Sequence, residues 1–118
     1  MSQGVGTPYF MAPELLRMDP RFTNKVDVYS FGITLAGTIN GKQPYEDQSF
    51  SSEFEFARRV LDGMRPKVNS ADSMPSDLIT LMKECWDADP EKRPSFEVIV
   101  DRLQVILKSL RRPTRRSH

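Results

Sequence analysis

Few side chains in this sequence are suited to covalent or metal chemistry, and they lie far apart. Cys85 is the only cysteine and His118 the only histidine. One cysteine supports neither an intrachain disulfide nor a cysteine-based metal cluster. His118 is terminal and has no sequence neighbour that would make it a catalytic base. No Gly-x-Gly-x-x-Gly run is present to cradle phosphates. More informative is the stretch 4–13, which holds two glycines, two prolines and the bulky Tyr9, Phe10 and Met11, followed at once by Glu14. That composition reads as an ordered loop packing its own side chains. At the other end, residues 111–118 carry four arginines with Thr114 and Ser117 between and after them. Such a cluster suits phosphate contacts, nuclear import or basophilic phosphorylation. No aromatic residue is interleaved to stack bases, and a solvated, disordered end is the preferred reading.

The elements that must carry these residues are all helical. After the loop, a short turn tolerates Pro13 in its first positions and favours Glu14 near its positive end. Thr23 and Asn24 then cap a helix containing Val26, Val28, Tyr29, Phe31, Ile33, Leu35, Ala36 and Ile39. Its apolar residues run nearly all round, so it needs burial on every side. Asn40-Gly41 stops it. Ser52 and Glu55 form a capping box, and Phe50, Phe54, Ala57 and Leu61 fall on one face of a helix ending near Gly63. Pro75-Ser76-Asp77 opens the next helix, with Leu78, Met82 and Cys85 as its buried stripe beside Ile79 and Trp86. Asp89-Pro90 lies just beyond that helix. Ser95 caps the last helix, where Phe96, Ile99, Leu103, Ile106 and Leu110 repeat at 3,4 spacing. No segment alternates at period two. The expected fold is all-α, a single domain of about five helices with an ordered N-terminal loop.

Bulk properties bound the function. The chain has 118 residues, 38% apolar and 28% charged, with a net charge of +1, which fits one soluble domain rather than a polyanion-binding surface. No apolar run approaches the ~20 residues of a membrane span, and Met1-Ser2-Gln3-Gly4 has no signal-like pattern. A cytosolic or nuclear location is the default expectation.

The loop closes as Gly6-Thr7-Pro8-Tyr9-Phe10-Met11-Ala12-Pro13-Glu14, which resembles the substrate-binding end of a protein kinase activation segment. Four further stretches match that family in order: Asp27-Val28-Tyr29-Ser30-Phe31-Gly32, Gly41-Lys42-Gln43-Pro44-Tyr45, Gly63-Met64-Arg65-Pro66, and Cys85-Trp86-Asp87 with 89–96. Tyr29 stands where the family more often has Trp. The resemblance spans 4–110 and implies a partial kinase domain over residues 1–110, the lower half of a C-lobe, followed by a basic tail. Thr7 and its neighbours resemble serine/threonine kinases, and the C-terminal half resembles their tyrosine-kinase-like branch.

The resemblance also implies roles. Gly6, Thr7, Pro8 and Tyr9 would shape the pocket for the residue after the phosphoacceptor, with packing alone as the competing reading. Glu14 and Arg93 would form a buried ion pair holding the loop in register. Asp27 would accept backbone hydrogens from a catalytic loop, or serve as a helix-start charge where that loop is missing. Trp86 would anchor the core. The parent family uses ATP and Mg2+, but its glycine-rich loop, Lys–Glu pair, His-Arg-Asp and Asp-Phe-Gly motifs are not found here, so no cofactor and no catalytic residue is expected in this chain. Expected partners are a protein substrate or the missing upstream kinase half. Self-association is expected if one side of Phe31, Leu35 and Ile39 is left uncovered, and neither membrane nor nucleic acid is expected. The isolated chain would then be marginal, dimeric or partner-dependent. A natural, truncated, non-catalytic interaction module is the alternative to a fragment of an active kinase.

Overall fold

The structure, a computed structural model, describes residues 8–69 and 73–111. Among these residues the fold is all-α. Five helices follow in order: α1 (Pro13–Leu16), α2 (Lys25–Asn40), α3 (Glu53–Leu61), α4 (Ser76–Cys85) and α5 (Phe96–Arg111). A single 3-10 turn, Pro90–Lys92, separates α4 from α5. Gly6, Thr7, Thr114, Ser117 and His118 lie outside the described residues.

Local chemistry explains the helix ends. Pro13 starts α1, where its missing N–H is no loss. At α2, Thr23 Oγ1 accepts from Lys25 N–H at 3.2 Å. Gly41 closes the helix at φ 73°, and the Gly41 and Lys42 amides both donate to Gly37 O, at 2.8 and 3.1 Å. That left-handed turn is strained for a side chain and free for glycine. At α3, Glu55 N–H donates to Ser52 Oγ at 3.0 Å, while the Glu55 carboxylate accepts from Ser51 N–H at 2.6 Å. The reciprocal half of this capping box thus reaches one residue before the cap.

Helix α2 is the hub. It packs on α4 and the 3-10 turn, α4 packs on α5, and α1 on α3. Val28, Tyr29, Gly32, Ile33 and Ala36 of α2 are buried. Phe31, Leu35 and Ile39, expected to lack cover on one side, are half-buried against the core. The most exposed large apolar side chains lie elsewhere: Met18 is 87% exposed, Phe54 73% and Val105 65%. On α3 the buried face is not the expected one. Phe56 and Val60 are buried, while Phe54 and Leu61 face outward. The short helix offers two apolar faces, Phe54 with Ala57 and Leu61 or Phe56 with Val60, and the aromatic partners Tyr9, Tyr45 and Phe50 select the Phe56 face.

The α2–α4 crossing depends on Gly32. A Cβ there would stand 2.9 Å from Cys85 Cβ and 3.2 Å from Met82 O. Overpacking of this kind costs about 1–3 kcal/mol, against roughly 1 kcal/mol gained by replacing a helical glycine with alanine. Gly32→Ala should therefore lower stability by roughly 1 kcal/mol in urea unfolding. An unchanged or raised stability would mean that the two helices can part without loss.

Candidate functional site

Immediately after the described loop end, α1 is anchored by one buried group. Arg93 leaves the 3-10 turn in extended conformation and inserts its guanidinium beneath α1. Its Nη1 and Nη2 donate to Glu14 Oε2 and Oε1 at 2.7 and 2.8 Å. Nη1 also donates to Lys25 O at 2.9 Å, and Nε to Asp87 O at 2.8 Å. Lys25 reciprocates, its Nζ donating to Arg93 O at 2.7 Å. Glu14 and Arg93 are 3% and 2% exposed. The pair therefore joins four segments: α1, the start of α2, the end of the α4 connection and the 3-10 turn.

Electrostatics follow from this enclosure. Burial pushes the Glu14 carboxyl upward, but the Arg93 hydrogen bonds, a backbone hydrogen bond and the charges of Arg93 and Arg17 outweigh it and hold the group below its ordinary value. Two guanidinium groups lie over the Tyr29 ring, Arg93 at 5.2 Å and Arg65 at 5.1 Å from its centroid. Arg65 is itself fixed by donating to Trp86 O, Val60 O and Met64 O.

Above this base sits the loop. Met11 N–H donates to Pro8 O at 3.2 Å, and Ser30 Oγ donates to Phe10 O at 2.7 Å. The Tyr9 ring stacks on Tyr45 at 5.9 Å and meets the Phe56 edge at 5.3 Å. Beside the loop a depression of about 420 Å³ is lined by Phe10, Thr34, Thr38, Lys42, Gln43 and Pro44, among others. The hydroxyls of Tyr29 and Tyr45 are buried without a hydrogen-bond partner among the described residues, and burial raises both phenols above their ordinary value.

Of the residues singled out by sequence, Glu14 and Arg93 meet, while Pro8 and Tyr9 are half-buried and Tyr9 packs in the aromatic cluster with Tyr45 and Phe56. Asp27 is exposed in the first turn of α2, and its carboxylate makes no side-chain hydrogen bond among the described residues. Trp86 is buried in the core around Tyr29, Ile33 and Met82. Sequence reasoning missed Lys25, Ser30 and Arg65 as loop and base supports. Arg65 stands within a stretch that had been singled out, but nothing in its spacing announces that it reaches Trp86.

Among the described residues no three His, Cys, Asp or Glu side chains gather to hold a metal.

Comparison with known proteins agrees with the motif order. The family model for protein tyrosine and serine/threonine kinases matches residues 2–103. The chain belongs to the protein kinase family. The kinase segment is 38% identical over 110 residues to serine/threonine-protein kinase VIK of Arabidopsis thaliana, covering 93% of this chain and 24% of that protein. It is 37% identical over 119 residues to the protein kinase and PP2C-like domain-containing protein of Oryza sativa, covering 90% and 18%. With human receptor-interacting serine/threonine-protein kinase 1 the identity is 39% over 101 residues, covering 84% and 15%. The segment therefore spans less than a quarter of each of these relatives.

Removing one partner of a buried pair leaves a lone charge and costs about 3–5 kcal/mol, a large part of the 5–15 kcal/mol that holds a typical domain together. Arg93→Met should cost more than Glu14→Gln in chemical denaturation, because it also strips Lys25 O and Asp87 O of their donor. Equal losses would show that the carbonyl contacts contribute little. The depressed Glu14 carboxyl contributes stability that is fully present above its ordinary value of 4.5 and lost as pH falls through the lower folded value. Glu14→Gln should therefore flatten the acid limb of the stability–pH curve. An acid limb as steep as that of the parent chain would assign it to other carboxylates.

Proposed function

We propose that the kinase segment is the substrate-facing part of a serine/threonine kinase domain and does not transfer phosphate by itself. The observation that carries this reading is the bidentate Glu14–Arg93 bond at 2.7 and 2.8 Å, which secures the loop end against the helical base. In this reading Pro8 and Tyr9, with Gly6 and Thr7 before them, form the wall on which the residue after the phosphoacceptor rests. The side chain of Tyr9, stacked on Tyr45, sets the depth of that wall. Positioning is the contribution asked of these residues, and a well-oriented hydroxyl is a large part of phosphoryl transfer. ATP, Mg2+ and the catalytic base belong, on this proposal, to a nucleotide-binding half of the kind the family carries. The cytosol or nucleus is the proposed site of action.

The proposal is tested by grafting this sequence in place of the matching segment of the VIK kinase domain. Transfer of labelled phosphate to serine and threonine is expected from the graft, with none from the 118-residue chain alone. Glu14→Gln in the graft should reduce transfer by about tenfold or more, in line with misplacement of a substrate-positioning loop. Phosphate transfer by the chain alone would contradict the reading, as would a folded graft that leaves serine and threonine unmodified.

A further inference from the structure

One side-chain hydrogen bond ties the loop to the hub helix. Ser30, half-buried on α2, donates from Oγ to Phe10 O at 2.7 Å. That carbonyl shares a rigid peptide plane with the Met11 N–H, which donates to Pro8 O at 3.2 Å. The Phe10–Met11 peptide is thus held at both ends, by α2 on its carbonyl side and by the turn on its amide side. Tyr9 and Phe10 are the two central residues of that turn. The direction in which the turn presents Tyr9 therefore depends on a hydroxyl from another element. The remaining contacts of this region act at other points: the Glu14–Arg93 pair fixes α1, and the aromatic cluster takes the Tyr9 ring.

Ser30 also has a second acceptor. Val26 O lies 3.3 Å from the same Oγ, the i−4 carbonyl that a helical serine ordinarily uses. A hydroxyl has one proton to donate, and the shorter distance assigns it to Phe10 O.

We propose that Ser30 is a positioning residue for the substrate: its hydroxyl orients the turn on which the residue after the phosphoacceptor rests. The inference rests on the proposed function and adds a residue outside the wall that governs it. Ser30 touches no substrate and acts only through the Phe10–Met11 peptide. Its role is open to a mild substitution, because alanine is the best helix former and needs no room that serine does not already occupy.

Two measurements test this. Native-state hydrogen exchange on the 118-residue chain reads the turn through the Met11 amide. Ser30→Ala should speed that exchange by about 5-fold, as for the loss of one neutral hydrogen bond, and leave the Gly41 amide at the end of α2 unchanged. In the graft into the VIK kinase domain, Ser30→Ala should raise the KM for a serine-containing peptide by roughly 5-fold. There kcat and the KM for ATP should stay within about twofold of the parent graft. Ser30→Thr keeps the hydroxyl and should bring both readouts back to within about twofold of serine. Unchanged Met11 exchange in Ser30→Ala overturns the proposal, since the proton would then rest on Val26 O. Faster exchange with an unchanged peptide KM also overturns it, because the bond would hold the turn without placing substrate. So does a threonine that restores neither readout, which traces the effect to packing. A parent graft without activity contradicts the proposed function instead, and the exchange measurement then decides by itself whether Ser30 orients the turn.

Discussion

The structure depends on a charge that cannot be left alone. An arginine side chain that is 2% exposed must find acceptors for its guanidinium, or the fold loses several kcal/mol. Arg93 finds them on three separate segments: Glu14 on α1, Lys25 O at the start of α2, and Asp87 O after α4. Each acceptor constrains a different piece of chain, so one side chain sets the mutual position of elements distant in sequence. Replacing such a network by apolar residues is often thermodynamically tolerable. What the ionic network adds is direction, since two parallel N–H···O bonds hold the Glu14 carboxylate in the plane of the guanidinium.

From that anchor the remaining packing follows. Tyr29 lies under the guanidinium groups of Arg93 and Arg65, and its helix carries the core on to Met82, Cys85 and Trp86. On the other side of α1, the aromatic group of Tyr9, Tyr45, Phe50 and Phe56 holds the loop by edge and stacking contacts of 5.1 to 6.1 Å. The loop is thus gripped between an ionic base and an aromatic wall. Two tyrosine hydroxyls remain buried without partners among the described residues, and a buried polar group in that state costs free energy. Tyr29 is fully buried on α2. The orphaned hydroxyl is the physical consequence of placing a phenol in that enclosed position.

Much of this was legible in the sequence because local chemistry and long-range packing agree. The caps at Ser52 and Gly41, Pro13 at the start of α1 and the all-round apolar pattern of α2 each indicate the element observed. The pairing of Glu14 with Arg93, 79 residues apart, was legible only through resemblance, since no periodicity links the two. The outward turn of Phe54 was not legible, because α3 presents two apolar faces and only the tertiary aromatic cluster chooses between them. Nothing in the sequence marks Lys25 or Arg65 as supports of the loop and its base. Their long side chains reach backbone carbonyls, contacts that leave no trace in residue type or spacing.

The claim that one ion pair couples distant segments is tested most directly by native-state hydrogen exchange on the parent chain and on Glu14→Gln. The account predicts that the α1 and following amides of Leu15, Leu16, Arg17 and Asp19 lose protection together with those of Lys92 and Arg93 in the 3-10 turn, all of which are hydrogen-bonded in the structure. Loss confined to α1, with the 3-10 turn as protected as before, would contradict the account and reduce the pair to a local contact.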